Sequence, residues 1–317
     1  MFERPLSRRE FLKLGAATAA ALVASPWLSV AQRVQAGATP LPTRTLGKTG
    51  VAVTILGLGG EGVLRTWGRE DEAAAVVHRA LEQGITYCDT APAYSGSQDY
   101  YGEVLPEYRS RIFLASKTHD RSRDGSLRLL EQSLKRLRTD HLDLWQLHNL
   151  NTVDELDVIF GKGGAIHAFE QAKREGLVRF LGITGHYDPA VLVEAIRRYP
   201  FDTVLVSLNV ADRHRLSFIE NLLPVANEHG LGIIGMKVVA KGSLLRPETG
   251  FTMRQALGYV LSLPLSTVIV GFSSPAEVDE AVEAARHFEP FPAELMSRLE
   301  AQAKPLADEA SWFKRST

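Results

Sequence analysis

The chain has 317 residues, of which 45% are hydrophobic, 23% charged and 8% aromatic, and its formal net charge is −1. This composition excludes an intrinsically disordered chain, a collagen and a multispan membrane protein. The near-neutral charge gives no electrostatic reason to expect a nucleic acid or an anionic membrane surface as a partner.

The N-terminal segment, residues 1–38, has the organisation of an export signal. Residues 7–13 (SRREFLK) form a charged start, residues 14–24 are uncharged, and residues 36–38 (AGA) resemble a cleavage site. The paired arginines followed by Phe-Leu-Lys resemble the twin-arginine signal of bacteria. We therefore predict a signal peptide over 1–38, export to the periplasm by the twin-arginine machinery, and a single mature domain over 39–317.

A permanent membrane anchor is the alternative interpretation of this segment. The stretch from Leu14 to Ala31 is barely long enough to span a bilayer, is rich in alanine and contains Pro26. These features favour a removable signal, and we expect no stable membrane span after processing. The single cysteine, Cys88, suits export to an oxidising compartment because it has no partner for wrong pairing within the chain.

From Thr43 the sequence predicts a short hairpin and then alternating strands and helices. Residues 43–46 and 51–54 flank a Gly-Lys-Thr-Gly turn. Eight apolar runs of strand length follow, at 55–58, 85–88, 112–115, 142–147, 178–183, 203–206, 232–236 and 267–270. Helical periodicity lies between them, at 70–83, 126–137, 189–198, 216–228, 253–261 and 275–285.

Most of the strand-length runs are apolar throughout, which is typical of a parallel sheet that is buried on both faces. Eight such strands with intervening helices over about 250 residues predict an α/β fold, the (β/α)8 TIM barrel. The N-terminal β-hairpin would close the floor of this barrel.

A doubly wound open sheet is the alternative fold, and a G-x-G-x-x-G pattern over residues 57–62 supports it. That pattern binds a dinucleotide only where it opens a helix directly. Here residues 63–69 separate it from the helical periodicity, so we interpret 57–62 as a flexible loop at the end of the first barrel strand.

Polar side chains follow three neighbouring strands of the predicted barrel. Asp89 ends the second strand, Lys117 the third and His148 the fourth, and Tyr94 lies in the loop after Asp89. The spacing is about one βα unit, so all of them would meet at the carboxyl rim, where barrel enzymes carry their chemistry. Each residue also has a purely structural interpretation. Asp89 could be a helix cap and Lys117 a solvated surface lysine. His148 could be a buried, hydrogen-bonded histidine and Tyr94 an aromatic residue of the loop.

Together these side chains are suited to protonating a carbonyl oxygen while hydride reaches its carbon. A phenol with a pKa of about 10 is a poor acid near neutrality. A nearby ammonium favours the phenolate and lowers that pKa, and a carboxylate holds the ammonium in place. A neutral imidazole can orient the carbonyl by hydrogen bonding.

The sequence resembles the aldo-keto reductase family over nearly all of residues 43–287. The matching stretches are 84–94 (GITYCDTAPAY), 114–117 (LASK), 143–148 (DLWQLH), 176–184 (GLVRFLGIT) and 268–274 (VIVGFSS). The resemblance implies that Tyr94 is the general acid, that Lys117 and Asp89 tune it, and that His148 orients a small carbonyl substrate.

The resemblance also implies a nicotinamide cofactor, normally NADPH, lying extended across the rim. Gly271, Ser273 and Ser274 would face its adenosine phosphate at a helix start, and Glu277 would lie near the adenine. A simple helix cap is the alternative interpretation of Ser273 and Ser274. Because residues 272–277 contain no Arg or Lys, NADH is a possible alternative cofactor.

Three departures from the family pattern affect the nicotinamide contacts. Thr184 and Gly185 stand where the family usually has Ser-Asn, and Leu205 or its neighbour Ser207 replaces a glutamine near the end of the sixth strand. Met236, followed by Lys237, replaces a stacking tyrosine. Thr184 can still hydrogen-bond the carboxamide, and Met236 can still press a polarisable face on the ring. His186 or Asn209 could replace the lost amide donors.

The sequence thus favours an exported NAD(P)H-dependent reductase of aldehydes or ketones. A non-catalytic cofactor-sensing or partner-binding protein on the same fold is the alternative, and the altered nicotinamide contacts favour it. A barrel isomerase or lyase is a third candidate with less support, since the sequence shows us no carboxylate pair and no phosphate-binding loop.

The histidine spacing suggests no metal site. Trp67 and the predicted loop over 149–164 would shape the substrate pocket.

Overall fold

The computed structural model describes residues 39–314, and the predicted signal peptide lies outside the described residues. The hairpin consists of β1 (Thr43–Thr45) and β2 (Ala52–Thr54). The barrel strands are β3 (Leu56–Gly62), β4 (Tyr87–Asp89), β5 (Phe113–Thr118), β6 (Leu142–Leu147), β7 (Val178–Gly185), β8 (Thr203–Ser207), β9 (Gly232–Met236) and β10 (Thr267–Phe272). They pair in parallel in the order β10-β3-β4-β5-β6-β7-β8-β9, and β9 pairs with β10. The predicted (β/α)8 barrel is therefore confirmed.

Helices surround the barrel and cover its outer face. They are α1 (Glu70–Glu82), α2 (Ser97–Val104), α3 (Arg123–Arg136), α4 (Val153–Phe160), α5 (Ala165–Arg174), α6 (Pro189–Arg198), α7 (Phe218–Asn221), α8 (Leu223–Glu228), α9 (Met253–Leu261), α10 (Pro275–Arg286), α11 (Ala293–Ala303) and α12 (Ala307–Ala310). Each longer helix buries one face. In α5, for example, Ala165, Ala168, Phe169 and Ala172 recur at the helical period and are fully buried.

The hairpin closes the amino end of the barrel, as predicted. Its strands pair antiparallel, and Leu46 and Val53 are fully buried in one cluster with Tyr87 and Phe113 inside the barrel. The turn packs tightly against the chain before β9. A Cβ at Gly47, whose φ is 50°, would lie 2.1 Å from the backbone nitrogen of Gly232, so only glycine fits there.

Three predicted segments differ in the structure. Residues 57–62 are part of β3 and not a flexible loop, because their glycines allow close packing; a Cβ at Gly57 would lie 2.9 Å from the ring of Tyr87. Residues 149–164 contain α4, which starts with a capping box between Thr152 and Glu155. The helix predicted over 216–228 is split into α7 and α8, since proline near the start of α8 lacks an N–H to continue the first helix.

Parallel pairing puts the carboxyl ends of all eight barrel strands at one rim. Asp89 is the last residue of β4, Lys117 is the penultimate residue of β5, and His148 directly follows β6. The register aligns Asp89 with Ala115 and Lys117 with Gln146 on neighbouring strands. The fold therefore brings these polar side chains to one level of the barrel.

We predict that Phe169→Ala lowers the free energy of unfolding by about 3–5 kcal/mol, because it removes a buried ring and leaves a cavity. Phe169 is fully buried and stacks on Trp145 of β6 with ring centroids 4.1 Å apart. Urea unfolding measures the change. Val158→Ala is the control: Val158 is 58% exposed, and its truncation should change stability by less than about 1 kcal/mol. Equal losses in both variants would contradict this account of the packing.

Candidate active site

A buried ion pair lies at the base of the candidate site. Lys117 and Asp89 are 1% and 0% exposed, and the ammonium of Lys117 donates to the carboxylate of Asp89. The ammonium also donates to the carbonyl of Thr90 at 2.9 Å, and Nε2 of Gln146 donates to the second carboxylate oxygen at 2.9 Å. Both charges therefore keep several partners in the barrel interior, which limits the cost of burying them.

Tyr94 stands beside this pair and faces a cavity. Its hydroxyl lies 3.5 Å from Nε2 of His148, and the two rings meet edge to face at 5.6 Å. The Nζ of Lys117 lies 4.9 Å from the centroid of the Tyr94 ring. Gly60 makes room for this ring, because a Cβ there would lie 2.9 Å from Cδ2 of Tyr94. The structure thus brings together the four residues that the strand spacing predicted.

Burial controls the ionisation of these groups. It raises the pKa of Asp89, and Lys117 offsets only part of that effect. For Lys117, burial would lower the pKa, but Asp89 and Tyr94 together outweigh burial and the pKa is raised. Burial and the nearby Lys117 hold the pKa of His148 well below its ordinary value, so the imidazole is neutral near pH 7.

The pKa of Tyr94 differs from the sequence-based expectation. The ammonium of Lys117 does act to lower it, but burial raises it more, so the pKa lies above its ordinary value. The sequence places the cation beside the phenol but does not show how dry the phenol is, and desolvation disfavours the phenolate. Tyr94 is therefore a protonated phenol in this structure.

A cavity of about 570 Å³ opens at the rim beside Tyr94. Its walls come from the ends of β3, β9 and β10, from the chain after β9, and from α10. The apolar side chains are Met236, Val238, Val239, Leu245, Met253, Ile269, Val270 and Phe272, and the charged ones include Glu61, Arg65, Asp89, Lys237, Lys241, Glu277 and Glu280. A second hollow of about 610 Å³ lies at the floor of the barrel, against the hairpin turn and away from these residues.

Five of the seven residues predicted to bind the cofactor line this cavity, namely Met236, Lys237, Gly271, Ser273 and Glu277. Ser274 is the N-cap of α10 and accepts a hydrogen bond from the backbone of Glu277 at 3.3 Å. In turn, the backbone N–H of Ser273 donates to the carboxylate of Glu277 at 2.7 Å. The helix-cap interpretation of this segment therefore describes the structure.

The other residues that were predicted to contact the nicotinamide already form hydrogen bonds within the protein. Thr184 is fully buried, and its hydroxyl accepts a hydrogen bond from the backbone of Asn149 at 2.7 Å. The amide of Asn209 donates to the carbonyl of Ala310 at 3.0 Å, and its oxygen accepts from a backbone N–H. His186 is paired through Nδ1 with Ser207 at 2.8 Å, and burial and Lys237 lower its pKa to about 3.

Sequence reasoning missed two functional features. Gln146 fixes the orientation of Asp89 from the neighbouring strand. It could have been found, because it lies two residues before His148 and so points to the same face of β6. Glu61, Arg65 and Lys241 also line the cavity. Of these, Glu61 was visible as the one charged residue in the glycine-rich end of β3.

Residues 39–314 contain no helix that is both long and apolar enough to cross a membrane. They also contain no group of three or more His, Cys, Asp and Glu side chains placed to hold a metal ion.

We predict that Lys117→Met lowers the free energy of unfolding near pH 7.5 by about 3–5 kcal/mol, because it leaves the Asp89 carboxylate buried without its cation. Lys117 is the main group that lowers the pKa of Asp89 against burial. Its loss raises that pKa further, so the folded variant binds a proton more tightly than the unfolded chain does.

The loss of stability in Lys117→Met should therefore shrink as the pH falls from 7.5 to about 5, because the folded variant takes up a proton on Asp89 more readily than the unfolded chain does. Urea unfolding at both pH values measures this change. Lys135→Met removes an exposed lysine on α3 and should cost less than about 0.5 kcal/mol at either pH. A loss that is the same at both pH values would contradict the assignment to Asp89.

Comparison with known proteins agrees with this geometry. The chain is 29% identical to L-galactose dehydrogenase of Arabidopsis thaliana over 310 residues, which are 84% of this chain and 96% of the relative. An aldo-keto reductase from Bacillus halodurans, solved in its holo form, superimposes with a TM-score of 0.71 at 27% identity, covering 83% of this chain and 96% of that one. An aldo-keto reductase from Klebsiella pneumoniae in complex with NADPH shares the fold, with a TM-score of 0.69 at 22% identity over 83% and 96% of the two chains.

Two sequence profiles match the chain. Residues 5–25 match the signal sequence of the twin-arginine translocation pathway, which confirms the predicted type of signal. Residues 55–255 match the profile of the aldo/keto reductase family. The closed barrel, the four polar residues at its carboxyl rim and this match agree, and the chain belongs to the aldo/keto reductase family.

Proposed function

We propose that the mature protein is an exported reductase that converts aldehydes or ketones to alcohols at the expense of NADPH, with Tyr94 as the general acid. The observation that carries the proposal is the position of the Tyr94 hydroxyl. It lies 3.5 Å from a neutral imidazole, beside a buried ammonium, and at the wall of a 570 Å³ cavity. A carbonyl oxygen placed in this cavity could meet both the phenol and the imidazole.

The cavity residues fit a nicotinamide dinucleotide. Met236 and Ile269 offer an apolar surface for a flat ring. Arg65, Lys237 and Lys241 of the same cavity wall supply cations of the kind that hold phosphates. The wall ends at the start of α10. When bound, NADPH would supply the hydride for the reaction, with NADH as a possible alternative.

Tyr94 and His148 would act on the oxygen of the substrate. The neutral His148 can donate a hydrogen bond that fixes the direction of the carbonyl, and Tyr94 can pass its proton to the developing alkoxide. The raised pKa of Tyr94, which follows from its burial, keeps the hydroxyl protonated and ready as a donor. Proton transfer then creates a phenolate in a dry site.

Lys117, held in position by Asp89, would stabilise this phenolate. The ammonium of Lys117 lies close to the Tyr94 ring and favours its ionised form, while Asp89 and Gln146 hold the ammonium in position. Because these groups are buried and already oriented, little reorganisation is needed during the reaction. Their role is electrostatic support, and only Tyr94 gives up a proton.

Sugar carbonyls are a reasonable first substrate class to test. The relative from Arabidopsis thaliana is named for L-galactose, a sugar, and it aligns over most of both chains. The cavity wall carries several charged side chains that could hydrogen-bond hydroxyl groups. A panel of aldoses, simple aldehydes and quinones would separate a sugar preference from a general carbonyl preference.

A cofactor-sensing protein on the same fold is the second candidate function. The observation that favours it is that the amide group of Asn209 donates to the backbone carbonyls of Ala310 and Lys237, which leaves fewer donors for a nicotinamide carboxamide. Such a protein would bind NADPH without turning over any carbonyl of the panel.

We predict that Tyr94→Phe lowers kcat for carbonyl reduction by at least about 100-fold, because it removes the general acid. Its affinity for NADPH should stay within about threefold of the wild type, since the ring and its packing are kept. NADPH oxidation at 340 nm measures the rate, and calorimetric titration measures the affinity.

Tyr199→Phe is the matched control for this variant. Tyr199 ends α6 at the amino side of the barrel, away from the cavity, so its variant should keep full activity. Equal turnover in the wild type and Tyr94→Phe would show that another group donates the proton. NADPH binding without turnover in either protein would support the cofactor-sensing candidate instead.

We predict that replacing Arg8 and Arg9 together by lysine keeps the protein out of the periplasm, because the paired arginines are the recognition element of the proposed signal. Cell fractionation should find the processed form in the periplasm for the wild type and only the unprocessed chain in the cytoplasm for the variant. Intact mass should place the new N-terminus near residue 39. Arg4→Lys is the control, and unchanged export of the Arg8, Arg9 variant would argue against this route.

A further inference from the structure

The side chain of Glu61 crosses the end of a neighbouring strand. Glu61 is the penultimate residue of β3, and β10 lies between β3 and β9 in the barrel. A Cβ at Gly271 of β10 would lie 2.6 Å from Cβ of Glu61, so the glutamate passes directly over this glycine. Its carboxylate then reaches Nζ of Lys237, which follows β9, at 3.0 Å. Glu61 therefore bridges two strands that do not touch.

The carboxylate of Glu61 is surrounded by cations from two separate segments. Arg65, one turn farther along the chain, donates to it at 2.8 Å, and Lys237 donates to the same oxygen. Lys241 lies 3.9 Å from the other oxygen. We call Arg65, Lys237 and Lys241 the cation cluster. The single carboxylate of Glu61 balances only one of the three positive charges of the cation cluster.

The chain that carries the two lysines has an unusual backbone. Lys237, Ala240 and Lys241 all adopt positive φ angles, at 60°, 46° and 56°. Left-handed backbone at a non-glycine residue costs on the order of 1 kcal/mol and persists where the surroundings require it. Here it aims two lysines at one point of the cavity wall.

The cation cluster is continuous with the candidate active site. The guanidinium of Arg65 stacks over the ring of Tyr94, with its carbon 5.0 Å from the ring centroid. At the other side, the ammonium of Lys241 lies 4.7 Å from the centroid of the Trp312 ring. A ligand that runs from Tyr94 toward α10 must therefore pass the position where Glu61 meets these cations.

The charges support an ionised Glu61. Burial would raise its pKa, but Lys237, Arg65 and Lys241 outweigh burial and lower it. The pKa of Lys237 is lowered, chiefly by burial, although Glu61 acts to raise it. A partly buried lysine that depends on one carboxylate would gain from a ligand with more negative charge.

We propose that Glu61 is an affinity-determining residue that occupies the cation cluster in place of the diphosphate group of the dinucleotide. A diphosphate, with at least two negative charges, would take over the contacts with Arg65, Lys237 and Lys241 and displace the Glu61 carboxylate. The protein therefore binds its dinucleotide more weakly than the same cation cluster would without Glu61. The inference uses the proposed function only to name the dinucleotide.

The test is calorimetric titration of the wild type and Glu61→Gln with inorganic pyrophosphate and, separately, with NADPH. Glutamine keeps the size of the side chain and removes its charge. We expect Glu61→Gln to bind pyrophosphate at least about tenfold more tightly, because the cations no longer have a competing carboxylate. Tighter binding of NADPH should accompany it.

Glu280→Gln is the matched control, since Glu280 is an exposed glutamate that lines the same cavity. It removes the same charge without releasing the cation cluster, so pyrophosphate affinity should change by less than about threefold. Thermal unfolding checks that each variant is folded. Glu61→Ala replaces Glu61→Gln if the latter does not fold.

The outcomes separate this inference from the proposed function. Equal or weaker pyrophosphate binding by Glu61→Gln would overturn the inference, since it would mean that Glu61 supports the cations and does not compete for them. Failure of the wild type and the variant to bind pyrophosphate would overturn it as well. Tighter pyrophosphate binding by the variant, with no NADPH binding in either protein, would uphold the inference and contradict the proposed function.

Discussion

The ammonium of Lys117 and the carboxylate of Asp89 meet in the interior of the barrel, where solvent reaches neither of them. Each charge is acceptable there only because the other is present, together with Gln146 and the carbonyl of Thr90. This pair fixes the position of a cation beside Tyr94, and the Lys117 ammonium adds to the effect of burial in keeping His148 neutral. The chemistry proposed for the rim depends on it, because a phenol in a dry site cannot lose its proton without a nearby positive charge.

A carboxylate also compensates cations along the cavity wall, but there the numbers of positive and negative charges differ. Asp89 fully matches Lys117, whereas Glu61 faces three cations and leaves two positive charges over. The first pair is fully buried at the base of the site, whereas Arg65 and Lys241 of the cation cluster are more than one-third exposed. A matched and closed pair suits a permanent electrostatic support. An unmatched and open cluster suits a site that exchanges one anion for another.

Glycine has a particular role in this arrangement. Gly60 leaves space for the ring of Tyr94, and Gly271 leaves space for Glu61 to pass over β10. The glycine-rich end of β3 is thus an ordered strand whose missing side chains let functional groups approach closely. The sequence suggested flexibility there because glycine also permits many backbone conformations. Only the packing of neighbouring strands distinguishes these two uses.

The sequence by itself determined the barrel and the identity of the residues at its rim. Strand-length apolar runs, helical periodicity and one polar residue after each of three neighbouring strands are local patterns, and parallel pairing converts them into one site. Tertiary structure alone decided which groups interact beyond that. Glu61 and Lys237 are 176 residues apart in the chain, and the commitment of Thr184 and Asn209 to backbone partners has no local signature. It also decided the direction of the pKa shift of Tyr94, because desolvation depends on the atoms that surround a group in space, and sequence proximity does not report them.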